Sequence, residues 1–157
     1  MTVATGSDTP RRGVRLGVDV GTVRVGVAVS DPEGILATPV VTLARDEAAD
    51  RDIDELVAMV ADRDVVEVAV GLPKMLRGAD GVAAHAARRY ATALAARIAP
   101  VPVVLVDERL TSVQANRIFD DRKVSTKARR AVVDQLAAVT ILQVRLDALR
   151  STGQARG

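Results

Sequence analysis

Arg15-Leu16-Gly17-Val18-Asp19-Val20-Gly21-Thr22-Val23-Arg24-Val25-Gly26-Val27-Ala28-Val29-Ser30 is the stretch that decides the fold of this chain. Apolar residues alternate on both sides of Gly21-Thr22, from Val14 to Val20 and from Val23 to Val29. That is the period of a strand and not of a helix. The pattern predicts two strands, 14–20 and 23–30, joined by a tight turn. One residue breaks it. Asp19 sets a carboxylate inside an apolar run, and burying an unpaired charge is costly. Such a group needs a metal, a basic side chain or a set of backbone donors.

Asp31-Pro32-Glu33-Gly34 suits a type I turn, with Asp first, Pro second and Gly fourth. A third strand follows over 35–43, and Pro39 within it belongs on a sheet edge because it cannot donate to a ladder. Three strands joined by tight turns imply an antiparallel meander. The period then changes: Ile53, Leu56, Val57 and Val60 fall at helical spacing within 47–62. A strand over 65–70 is expected next, then a helix over 80–99 with Val82, Ala86, Tyr90, Leu94 and Ile98 on one face. Pro100 and Pro102 lead into a strand over 103–106. Thr111 and Gln114 have capping-box spacing for a short helix to 120, and the last long helix covers 127–150. The order β-β-β-α-β-α-β-α-α describes an α/β fold, a mixed five-stranded sheet flanked by helices. Its first three strands are antiparallel. Residues 1–12 and 151–157 read as flexible tails around one domain at 13–150.

The 157 residues suffice for one well-buried core, and 48% of them are apolar. No apolar run is long enough to cross a bilayer, and Met1 to Asp8 lacks the hydrophobic core of a secretory signal. With no cysteine there is no disulfide or thiolate site, which suits a reducing cytosol. His85 is the single histidine, so an imidazole-rich zinc site is excluded. A metal held by this chain would take oxygen ligands, as Mg2+ or Mn2+ does.

Net charge is only +2, yet Arg122, Lys123, Lys127, Arg129 and Arg130 fall within nine residues that contain no acid. This stretch reads as a phosphate-backbone contact or as a solvated basic loop. Tyr90 and Phe119 are the only aromatics, so base-stacking platforms are not expected. A nucleic-acid partner would be read by shape and phosphate.

Asp19 ends the first strand, Asp107 and Glu108 end the last, and Asp134 lies in the early turns of the final helix. Ends of parallel strands gather at one sheet edge, where α/β proteins place their sites. Carboxylates gathered there could hold two divalent cations and support attack by water on a phosphodiester. Each position also has a plainer reading. Asp107 fits a surface strand end, Glu108-Arg109 a structural ion pair, and Asp134 a solvated helix face. Arg24, Lys74, Arg77 and Arg109 are candidates to grip phosphates, with Arg24 alternatively an exposed hairpin residue and Arg77 a loop charge. Lys123, Lys127 and Arg129 are the candidates from the basic stretch. His85 reads as structural and Tyr90 as core. Gly21 and Gly26 permit close backbone approach near the acids.

The segment from Asp19 to Asp31 resembles the opening signature of the YqgF/RuvX family, D-x-G-x-x-R-x-G-x-A-x-S-D. Gly71-Leu72-Pro73 with Gly78 resembles its second block, Asp107-Glu108-Arg109-Leu110-Thr111-Ser112 its D-E-R-x-T-S block, and Asp134-Gln135-Leu136-Ala137-Ala138 its D-x-x-A-A block. The likeness runs from about Arg15 to Leu146. It implies an RNase H-like fold related to the junction resolvase RuvC, in a bacterial cytoplasmic protein. It also implies a metal-dependent endonuclease, with Asp19, Glu108 and Asp134 as the metal-binding acids. The expected action is on structured RNA, at the 5′ end of pre-16S rRNA, or on branched DNA as a Holliday junction resolvase. Whether Asp107 or Glu108 is the second ligand stays open, as does monomer or homodimer. Two other classes remain: a catalytically silent nucleic-acid-binding module, and an ATP-binding protein of the actin and sugar-kinase type. The latter needs two lobes, and this chain supplies one.

Overall fold

The computed structural model describes residues 12–73, 81–108 and 126–156. Five strands form one sheet: β1 (Arg15–Val20), β2 (Arg24–Ser30), β3 (Ala37–Ala44), β4 (Glu67–Leu72) and β5 (Val103–Asp107). The helices are α1 (Arg51–Asp62), α2 (Val82–Ile98) and α3 (Thr126–Arg156). Strand order is β3-β2-β1-β4-β5. The β1–β2 and β2–β3 pairs are antiparallel, and β1–β4 and β4–β5 are parallel. The sheet is therefore mixed, as its sequence pattern predicts. Pro39 does lie on an edge strand.

Alternation divides the sheet residues between two cores. Leu16, Val18, Val25, Val27, Val68 and Val70 face α1 and α2, where they meet Ile53, Leu56, Leu94 and Ile98. On the opposite face Ala28, Ala37, Ala69 and Val106 meet α3 through Ala138, Ile141, Leu142 and Leu146. The α3 contacts recur at three- and four-residue spacing, so one stripe of that helix lies along the sheet. Small residues let it lie close. A Cβ added at Gly17 would stand 2.6 Å from the Leu142 Cβ.

Several boundaries differ from the sequence reading. Strand β3 begins at Ala37, not at Ile35, because the Ile35 and Leu36 amides donate to the Asp31 carboxylate at 2.8 Å instead of joining the ladder. The Leu36 amide, then that of Ile35, holds Asp31 below the usual carboxylate range. Helix α1 begins at Arg51, since Asp50 takes a left-handed conformation (φ 54°) after the turn closed by Asp50 N–H and Asp46 O. On α2 the buried stripe is Ala84, Ala87, Tyr90, Ala91, Leu94 and Ile98. Val82, expected on that face, is 84% exposed, because the close packing under Leu72 is made by Ala84 and Ala87 instead. His85 is exposed. Tyr90 is core, but its hydroxyl donates to buried Asp52 at 2.8 Å while Arg45 lies 4.9 Å over its ring and pairs with Asp52 at 3.1 Å. This polar knot ties α1 to α2. Helix α3 continues to Arg156, past the end expected near Arg150. The short helix expected at 111–120 lies outside the described residues.

Candidate active site

The site is built around Asp19 by what its neighbours lack. Asp19 pairs with Gly26 across the β1–β2 ladder. On its other side, one step beyond the Val18–Val70 pair, comes Gly71 of β4. A side chain on either glycine would fill the space beside the carboxylate. A Cβ at Gly26 would stand 2.0 Å from the Asp134 carbonyl oxygen, so only glycine lets α3 settle there. A Cβ at Gly71 would stand 2.8 Å from Glu108 Oε1 and 3.0 Å from its Cγ. Two glycines thus clear two sides of Asp19, and an acid of the final helix and an acid after β5 come in over them.

The register of β5 separates the two adjacent acids. Val106 packs against Ile141 of α3, whereas Asp107 pairs with Leu72, whose side chain packs under α2. Successive side chains alternate faces, so Asp107 belongs to the α2 side and Glu108 returns to the α3 side beside Asp19. The electrostatics agree. The Asp19 carboxyl is pushed up to about 8, first by burial, then by a hydrogen bond with Glu108 and by the negative charges of Glu108 and Asp134. Like charges crowded out of water favour holding a proton, which is the state a cation would replace.

Asp134 is engaged by a basic side chain. Its Oδ2 accepts a 2.7 Å hydrogen bond from Arg24 Nε. Consistent with that, among the described residues no three acidic or histidine side chains already surround one point at ligating geometry. The donor set nonetheless fits a hard divalent cation: it is all carboxylate, two members share a hydrogen bond, and the third stands near enough to raise Asp19.

The structure thus brings together Asp19, Glu108, Asp134 and Arg24 and sets Asp107 on the other face. Lys74, Arg77, Arg109 and Lys123 lie outside the described residues, as do the side chains of Lys127 and Arg129. Nothing in the sequence marks the Arg24–Asp134 bond, whose partners are 110 positions apart. Beyond the β1–β2 turn, on the α1–α2 side, lies a cavity of about 550 Å3 reached by Thr22, Arg45, Arg89 and Tyr90, and none of the three acids lines it.

A family model described as RuvX, Holliday junction resolvase, matches residues 13–148. The chain belongs to the RuvX family. It is 58% identical over 139 residues to a Frankia casuarinae protein named "Putative pre-16S rRNA nuclease", covering 88% of this chain and 69% of that protein. A Mycolicibacterium smegmatis protein of the same name is 51% identical over 153 residues, covering 96% and 90%. Among solved structures, Thermus thermophilus RuvC in complex with a Holliday junction substrate superposes with a TM-score of 0.55 at 15% identity, covering 89% of this chain and 97% of that one. At that identity the likeness speaks for the fold alone. It is the RNase H-like fold that the sequence motifs imply. Among the described residues no helix is long and apolar enough to cross a membrane.

Proposed function

We propose that this RuvX-family protein is a metal-dependent endonuclease that hydrolyses phosphodiesters in structured nucleic acid and processes the 5′ end of pre-16S rRNA. The observation that carries the reading is the convergence of Asp19, Glu108 and Asp134 over two glycine-cleared positions, Gly26 of β2 and Gly71 of β4. The names of the relatives support the substrate. Asp19 and Glu108 would hold Mg2+ or Mn2+, with Asp134 completing the set. A bound divalent cation would supply a polarised water and charge neutralisation at phosphorus. The acids fix its place beside the scissile phosphate. In the reaction a water oxygen bonds to phosphorus and the bond to the leaving sugar oxygen breaks, its proton coming from solvent. Lys74, Arg77, Arg109, Lys123, Lys127 and Arg129 are proposed to contact substrate phosphates.

The second reading is resolution of Holliday junctions. It is favoured by the description of the family model and by the fold likeness to a RuvC seen on a junction. One experiment separates the two: purified protein with Mg2+ or Mn2+ is given a precursor rRNA fragment and a synthetic four-way junction. Cleavage of the rRNA fragment near its 5′ end is expected. Glu108→Gln should lower cleavage by more than about a hundredfold, beyond what loss of an outer partner costs, while Asp107→Asn stays active. Cleavage of the junction alone would choose the second reading. An active Glu108→Gln beside an inactive Asp107→Asn would reverse the assignment of the two acids.

A further inference from the structure

The bond between Arg24 and Asp134 uses one of the five N–H donors of the guanidinium. Nε donates to Asp134 Oδ2 at 2.7 Å, and among the described residues this is the side-chain hydrogen bond that Arg24 makes. Among the described residues its two terminal amino groups take no side-chain hydrogen bond. Arg24 opens β2 on the same face as Gly26, two residues along, over which the Asp134 backbone sits. Its side chain is 33% exposed and that of Asp134 21% exposed, so the pair lies at the mouth of the acid cluster and not beneath it.

A guanidinium tied at Nε loses much of the rotamer freedom that a long side chain otherwise gives up on binding. What remains is a fixed fork of terminal N–H groups, the geometry that matches two oxygens of one phosphate. We propose that Asp134 has a second task besides its place among the acids: it pins Arg24 through Nε so that the terminal amino groups form a preset clamp for the non-bridging oxygens of a substrate phosphodiester. Arg24 is then a substrate-touching residue, and Asp134 its positioning residue. The inference rests on the nuclease reading and adds a phosphate subsite to it.

The test uses full-length protein and the nucleic acid that the wild type cleaves. In EDTA, binding of the labelled substrate is followed against salt concentration. Each lost phosphate contact removes about one unit from the log-log slope, so Arg24→Gln is expected to flatten the slope by about 1. Arg24→Lys keeps the charge but cannot be pinned and forked together. It should retain the slope and KM while kcat falls by about a hundredfold or more, the lower end for one lost transition-state contact. Binding of Mn2+ alone should stay close to wild type in both variants. An unaltered slope in Arg24→Gln, with Mn2+ bound more tightly, would overturn the proposal and make Arg24 a stand-in cation for the metal. A fully active Arg24→Lys would overturn the fork. A wild type that binds Mn2+ but neither binds nor cleaves the precursor rRNA fragment or the four-way junction would remove the nuclease reading, and with it the phosphate this clamp requires.

Discussion

The same stripe of α3 meets the sheet at two charged points, and the protein treats them in opposite ways. At one end Glu67, which opens β4, is buried beside buried Arg15 of β1, with Arg15 Nε 3.3 Å from Glu67 Oε1. Arg145 of α3 closes on the same carboxylate with two bonds, Nε to Oε1 at 2.9 Å and Nη2 to Oε2 at 2.8 Å. At the other end, eleven positions back along α3 and so roughly 16 Å away, Asp134 approaches Asp19 and Glu108. There the helix brings a third carboxylate to two others, and among the described residues Arg24 pairs with Asp134 alone. The Glu67 end is compensated and holds α3 to the sheet. The Asp19 end stores repulsion that a cation would relieve. Three helical turns separate anchoring from chemistry.

The largest stability effect is expected at the compensated end. Removing one member of a buried, hydrogen-bonded pair costs about 3–5 kcal/mol. Glu67→Ala leaves Arg15 buried without its carboxylate, so urea unfolding should lose about that amount. A variant as stable as wild type would show that the two ends do not differ as described.

A smaller effect of opposite sign is expected at Asp19. Its carboxyl is raised from 3.8 to about 8, so between those values the folded chain holds a proton that the unfolded chain has released. Metal-free protein is therefore favoured at the acid end of that window and loses stability as pH rises through it. Asp19→Asn removes the dependence. Melting curves in EDTA at pH 5 and pH 8 should show the variant gaining on the wild type at the higher pH. An unchanged difference between the two pH values would contradict the crowding of these acids.

The contrast also marks what the sequence could tell. Asp19 stood out because one charge interrupts an apolar strand, and the strands themselves followed from alternation. Arg15 and Glu67 carry the same kind of signal, charges at the ends of apolar runs, but nothing local distinguishes them. Their meaning depends on Arg145, 78 positions beyond Glu67. Asp107 and Glu108 could not be told apart from residue types, because the choice rests on strand parity, and parity is fixed only by the pairing of Asp107 with Leu72. Gly26 and Gly71 gave no sign of which partners they admit. Close approach is a property of two elements together, and the sequence shows one at a time.

Mn2+ binding tests most directly whether the acid cluster is a cation site. Titration followed by electron paramagnetic resonance at pH 8, without nucleic acid, would compare wild type with Asp19→Asn and Asp107→Asn. Wild type should bind, Asp107→Asn should bind almost as well, and Asp19→Asn should be weakened by more than about a hundredfold. If Asp19→Asn binds Mn2+ as wild type does, the cluster is not the metal site and the nuclease mechanism built on it is wrong.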